Sequence, residues 1–309
     1  MIKPLILLTN DDGYQAAGLQ ALVRTVSSFA EVYVVAPDGP RSGAAASITS
    51  NVPVRLTPQP PLFQRGGAVL ENENQETNDA SALSPLFQRG ESENQETNDA
   101  PAFSSSLKER GLGGESFSCS GSPVDCVKLA CEQVVPRKPD LLLSGINHGD
   151  NASISVHYSG TMGAVFEGCM KGIPSIGISQ YLQRGQRYED HPVCADALAA
   201  IARLCQQVIR QGLPQDVCLN INFPLAHSFR GWQVCRQARG QWTSEWVTAT
   251  HPFGQHAFWL TGTFNDLEPD ATDTDFAALR AGYASIVPVR IDMTAHEAMD
   301  DVKCLIEND

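Results

Sequence analysis

The run Leu5-Ile6-Leu7-Leu8-Thr9-Asn10-Asp11-Asp12-Gly13-Tyr14 decides the fold class. Apolar residues without alternation over 5–8 indicate a strand buried on both faces, and the abrupt change to Asn10-Asp11-Asp12-Gly13 marks its carboxyl end. Leu19, Leu22, Val23 and Val26 then fall on one face of a helix, and a second apolar run occupies 32–36. The same rhythm returns further on. A helix starting at Pro123 with Val124, Val127 and Cys131, a strand at 141–144, a helix at 161–171 and a strand at 176–179 follow one another. A helix with Leu198, Ile201, Cys205 and Ile209 and the strand Val217–Phe223 continue the series. Strand and helix in alternation predict an α/β fold, a Rossmann-like, mainly parallel sheet with helices on both faces.

Two regions depart from this rhythm. Between about 58 and 115, Pro61-Leu62-Phe63-Gln64-Arg65-Gly66 recurs as Pro85 to Gly90, and Glu73 to Ala80 recurs as Glu93 to Ala100. Two polar copies with few apolar residues cannot build a stacked repeat, so the segment reads as a duplicated insertion forming a mobile surface loop. From Trp232 onward the tryptophans at 232, 242, 246 and 259 lie in a stretch of hairpin character. A helix near 274–281 and an apolar strand at 283–289 come after it. The expected organisation is a Rossmann-like domain over 1–231, interrupted by the insertion, followed at 232–309 by an extension that closes the fold or serves as an oligomer arm.

Composition narrows the function. The 309 residues carry a formal net charge of −13, which argues against a protein that grips a nucleic-acid polymer through its backbone. Residues 61–100 hold two arginines against eight acidic residues, so much of that excess falls in the insertion. No stretch is long and apolar enough for a membrane span, and the apolar start is too short for a secretion signal. Nine scattered cysteines without a CxxC pair read as reduced core thiols of a cytoplasmic protein.

Three polar clusters follow predicted strands, where open parallel sheets bind ligands. Adjacent carboxylates at Asp11 and Asp12 repel each other unless protons or a cation relieve them. The turn Pro37-Asp38-Gly39-Pro40-Arg41-Ser42-Gly43 offers a hydroxyl and a guanidinium. The third stretch runs from Ser144 through Asn147, His148 and Asn151 to Ser159-Gly160-Thr161, where the start of a helix favours phosphate. Two carboxylates, a hydroxyl and an amide oxygen make an all-oxygen shell suited to Mg²⁺ or Mn²⁺ rather than zinc. His148 and His157 have no zinc-type spacing and read as exposed loop histidines. Neither a Walker A loop nor a GxGxxG dinucleotide fingerprint is found at the first strand.

These residues resemble the SurE family. The resemblance rests on Leu-Leu-Thr-Asn-Asp-Asp-Gly-Tyr at 7–14, Ala17-Gly18-Leu19, Val34-Val35-Ala36-Pro37 and Arg41-Ser42-Gly43. It continues in Ser120-Gly121-Ser122-Pro123-Val124-Asp125-Cys126-Val127, Pro139-Asp140-Leu141, Ser144-Gly145-Ile146-Asn147 and Tyr158 to Ala164, with Thr274-Asp275 and Asp292-Met293-Thr294 agreeing in the tail. It implies a metal-dependent nucleotidase that hydrolyses nucleoside 5'- and 3'-monophosphates, with side activity on short polyphosphate. It also implies one divalent ion per subunit, Mg²⁺ or Mn²⁺, and a homodimer or homotetramer. By resemblance the metal ligands are Asp11, Asp12, Ser42 and Asn147, with Asp11, Asp12 and Asn147 catalytic. Asn10, Gly43, Asn151, Ser159, Gly160 and Thr161 fall on the substrate and phosphate side. The insertion is foreign to the family pattern, and Ala152-Ser153-Ile154 replaces a stretch that usually contains glycine. Two other readings compete: a receiver-like signalling module, which lacks its phospho-accepting Asp here, and a metal-dependent nucleotide-binding protein without catalysis.

Overall fold

Strand β1, Leu5–Thr9, is buried along its whole length and lies in the middle of a nine-stranded sheet. The structure, a computed structural model, describes residues 3–60, 62, 115–183, 185–250 and 256–307. The duplicated segment over 61–100 therefore lies, apart from Leu62, outside the described residues. In chain order the remaining strands of this sheet are β2 (Glu31–Pro37), β3 (Leu56–Gln59), β4 (Ser116–Cys119), β5 (Leu141–His148) and β6 (Ser175–Gln180). Strands β7 (Val217–Phe223), β8 (Trp232–Val234) and β13 (Ala284–Arg290) complete it. Their spatial order is β3-β4-β2-β1-β5-β6-β7-β13-β8. Pairing is parallel except for β3 with β4 and β13 with β7, so the mainly parallel α/β sheet is present. Because β13 and β8 extend that sheet, residues beyond 231 close the fold as well as leaving it.

The side-chain period of two explains why both faces need helices. Ile6 and Leu8 of β1 and Leu141 and Leu143 of β5 join a core that includes Leu19, Leu22 and Val26 of α1 (Ala17–Val26). Ile201 and Cys205 of α4 (Ala195–Gln211) complete that face. Leu5, Leu7 and Leu142 point the other way. There they meet Cys126 and Val127 of α2 (Pro123–Leu129) and Met162 and Val165 of α3 (Gly160–Met170). Ser122 caps α2 in a reciprocal capping box with Asp125, which is why that helix starts where it does.

Two further antiparallel pairs stand apart from the sheet, matching the hairpin character read around the tryptophans. They are β9 (Gly240–Thr243) with β12 (Thr263–Asp266) and β10 (Trp246–Thr250) with β11 (His256–Leu260). The short helix α5 (Asp275–Arg280) packs beside β13, whereas the terminal α6 (Met299–Glu307) buries none of its residues. No helix among the described residues is long and apolar enough to cross a membrane.

Close packing of α1 on β5 requires Gly18: a Cβ there would fall 2.1 Å from the Ile146 carbonyl oxygen. Gly18→Ala should therefore destabilise the protein by roughly 1–3 kcal/mol, the usual cost of forcing atoms into a packed interior. Gly39→Ala, where a Cβ meets nothing within 4 Å, should stay within about 0.5 kcal/mol of the parent. Urea denaturation of the two variants checks this, and equal midpoints would contradict it.

Candidate active site

The polar clusters meet where β1, β2 and β5 end. Asp11 follows β1 directly and is 5% exposed. Its carboxylate accepts the Thr161 hydroxyl at 2.5 Å and the Thr161 amide, which places the negative group on the first turn of α3. Gly160 makes the approach possible, because a Cβ there would lie 2.9 Å from the Asp11 Cβ. Asp12 accepts the His148 amide through Oδ2 at 3.1 Å. Burial pushes the Asp11 carboxyl up to about 6, with the Asp12 charge adding to it and the Thr161 hydrogen bonds opposing it. Burial likewise pushes Asp12 up to about 6, against the His148 hydrogen bond and with the Glu189 charge adding to it.

The other two clusters are brought to the same place by bends in the chain. Strand β5 carries a bulge between Gly145 and Asn147, and Gly145 has φ +134° with no room for a Cβ beside the Ile178 carbonyl. The Gly145–Ile146 peptide is cis. The bulge delivers Asn147, whose amide nitrogen donates to the Gly149 carbonyl at 2.8 Å. That bond leaves the carboxamide oxygen as the end available to a cation. Ser42 sits in a loop pinned by Arg41 N donating to the Asp11 carbonyl and by Ser122 Oγ donating to the Ser47 carbonyl. Asp11, Ser42, Gly43, Asn147, Asn151 and Ser159 line one cleft of about 500 Å³.

Several readings need correction. The Arg41 guanidinium pairs with the Asp38 carboxylate at 2.7 Å and donates to the Ser120 carbonyl at 3.2 Å, so it holds the loop. Asn10 is fully buried, and its side-chain nitrogen donates to the Gly13 carbonyl at 2.9 Å, which locks the turn, while its carboxamide oxygen has no hydrogen-bond partner among the described residues. Thr161 is fully buried and its hydroxyl donates to Asp11, so it positions that carboxylate. His148 is not an exposed loop histidine: it ends β5, is half-buried, and stacks on Tyr188 with ring centres 5.1 Å apart. His157 is exposed as read.

Among the described residues neither Asp11 nor Asp12 forms an ion pair with a lysine or arginine. The nearby His148 imidazole, 3.9 Å from Asp12, is held below its usual pKa by burial, against the charges of Glu189 and Asp11. One buried and one partly buried carboxylate of the same sign, with neutral oxygens beside them, fit a hard cation. Among the described residues no three His, Cys, Asp or Glu side chains cluster as a metal site.

Residues 6–244 match the family model described as survival protein SurE. The chain belongs to the SurE family. A protein from Phocaeicola vulgatus named 5'-nucleotidase SurE is 42% identical over 304 residues, covering 97% of this chain and 96% of that one. One of the same name from Bacteroides fragilis is 37% identical, covering 97% of both chains. The crystal structure of the SurE protein from Aquifex aeolicus superposes with a TM-score of 0.68 at 26% identity, covering 98% of this chain and 100% of that one.

Support for this SurE site comes partly from residues that carry no motif. Asn151 donates to Ser179 Oγ at 2.8 Å, while its amide and carbonyl are held by the Asn222 and Asn220 side chains of β7. Asp275, fully buried at the start of α5, accepts the amides of Ser153 at 2.7 Å and Ala238 at 3.0 Å. Ser153 has φ +52°, a conformation that favours glycine, and its amide is held in place by Asp275. The alternating NxN of β7 was the available signal for the asparagines, since polar residues at a period of two inside an apolar strand require buried partners. Asp275→Asn should destabilise the fold by roughly 1.5–3 kcal/mol by removing a charged acceptor. Hydrogen exchange at the Ser153 and Ala238 amides should accelerate while Leu7 stays protected, and unchanged exchange at all three would contradict the bracing role.

Proposed function

We propose that this chain is a divalent-metal-dependent phosphomonoesterase that releases phosphate from nucleoside 5'- and 3'-monophosphates. The observation that carries the reading is the braced Asp11 carboxylate lining one cleft with Ser42, Asn147, Asn151 and Ser159. Membership of a family whose relatives are named 5'-nucleotidases supports it.

Asp11, Asp12, Ser42 and Asn147 would hold the ion, Mg²⁺ or Mn²⁺. Such an ion, when bound, polarises the phosphoryl group and lowers the pKa of water. The protein's own groups do the rest. Ser159 Oγ accepts the Met162 amide at 3.0 Å and so fixes the first turn of α3. The Gly160 amide belongs to that turn, whose donors have no acceptor within the helix, and the positive end of the dipole favours the phosphate oxygens. Asn151, rigidly held, offers its side-chain oxygen end to the cleft. Thr161 keeps Asp11 oriented as an acceptor. Copies of the chain would associate through the exposed apolar faces of β10–β11, with Trp246 and Trp259, and of α6, with Leu305 and Ile306.

Phosphate release from AMP and 3'-AMP should require added Mn²⁺ or Mg²⁺ and stop with EDTA. Asp11→Asn should lower kcat/KM by roughly a thousandfold, because a carboxylate ligand to the activating ion is lost. Thr161→Val should lower it by roughly 10–100-fold, as expected for a group that orients a ligand. Full metal-stimulated turnover by Asp11→Asn would overturn the assignment.

A further inference from the structure

The cleft lined by Asp11, Ser42 and Asn147 has a second half made of different chemistry. Trp242, Tyr158 and Leu260 form its wall and rim, with Glu245 beside them. Trp242 is 37% exposed, Tyr158 59% and Leu260 67%, and all three line the cleft.

The indole is fixed in place. It meets Phe264 edge-on at 5.6 Å and 75°, and Phe264 rests on Phe276 at 4.8 Å. Phe276 follows Asp275, the carboxylate that holds the amides of Ser153 and Ala238. From below, Gly262 has φ +137°, and a Cβ there would come within 3.1 Å of the Trp242 ring. Strand β9, which carries Trp242, packs against the turn Ser153–Tyr158. A preordered aromatic face of this kind binds a planar partner without having to be immobilised first.

We propose that this wall takes the nucleobase, with Trp242 as the stacking residue, so that the site selects nucleoside monophosphates over base-free phosphate esters and over polyphosphates. The proposal rests on the phosphomonoesterase reading and deepens it. Charge decides against a polyanion: among the described residues no lysine or arginine lines the cleft, and Glu245 adds a negative group to the wall. A second or third phosphate would meet no cationic side chain there, whereas a neutral base meets an indole face. Size agrees, because a cleft of about 500 Å³ falls within the range of pockets that enclose small organic ligands.

A neighbouring cleft of about 580 Å³ is the rival location. It is lined by Asp12, His148, Leu182, Gln183, Arg187 and Glu189, among others. Of the four oxygen ligands it holds only Asp12, and its Arg187 is paired with Glu189 at 3.5 Å. A phosphate at the Ser159 end of α3 would therefore direct the base toward Trp242.

The test compares kcat/KM for AMP with that for ribose 5-phosphate, and for AMP with tripolyphosphate, in the full-length protein with Mn²⁺. Wild type should prefer AMP in both comparisons. In Trp242→Ala the ratio of AMP to ribose 5-phosphate should fall about tenfold, through KM, as expected for one lost base-stacking contact. Trp242→Phe should hold the ratio within about threefold of wild type, since an aromatic face remains. Gln183→Ala, in the neighbouring cleft, should leave the ratio as it was. Equal losses on AMP and ribose 5-phosphate in Trp242→Ala, a ratio that falls in Gln183→Ala instead, or a wild type that favours tripolyphosphate would each overturn the proposal. A wild-type protein inactive on every one of these phosphates, with metal supplied, would overturn the phosphomonoesterase reading itself.

Discussion

The Asp11 carboxylate, held by the hydroxyl and amide of Thr161, ties the carboxyl end of β1 to the first turn of α3 across 150 positions of sequence. Both elements are otherwise committed to the core, β1 between β2 and β5 and α3 through Met162 and Val165. The junction cannot move without disturbing the interior. Helix dipole and hydrogen bonds favour the charged form, yet burial outweighs them and leaves the carboxyl at about 6. A surface dipole effect is about 0.3–1 kcal/mol, whereas taking a charge out of water costs several kcal/mol even after relaxation. Asp12 adds a second negative group to the same corner. The fold therefore maintains a concentration of negative charge that it does not itself neutralise, which is the electrostatic condition for holding a hard cation.

Around that corner lie braces with no direct part in binding a phosphate. The Asn151, Ser179, Asn220 and Asn222 network carries one side of the 151–158 segment. Asp275 carries the other and joins it to residues beyond 231. The extension is thus coupled to the site through hydrogen bonds, and through Phe276 and Phe264 to the aromatic wall at Trp242. Such supporting groups set how accurately the ligands are presented.

How much of this the sequence discloses depends on the range of the interactions. Strand β1 and the strand core of β5 are plain because four apolar residues in a row followed by polar ones have few alternatives in an α/β chain. The oxygen ligands are legible because they follow those strands directly. Strands β3 and β4 are not: Leu56–Gln59 contains Pro58, Ser116–Cys119 is half serine, and both flank the duplicated insertion. The roles of Arg41 and Thr161 in holding the site are not legible, because the Ser120 carbonyl and the Asp11 carboxylate that they bind are supplied by tertiary structure. Asp275 carries no local signal for its partners, since it acts on amides 122 and 37 positions away. The helix α6 is not legible in the same way, because none of its residues is buried among the described residues.

The central claim is that one hard cation neutralises the Asp11 and Asp12 corner. Calorimetric titration of Mn²⁺ into metal-stripped protein tests it most directly, with Asp12→Asn alongside. Saturation near one ion per chain in the parent, with binding abolished or weakened at least about a hundredfold in Asp12→Asn, is the predicted result. Undiminished binding by Asp12→Asn, or no saturable binding by the parent, would contradict it.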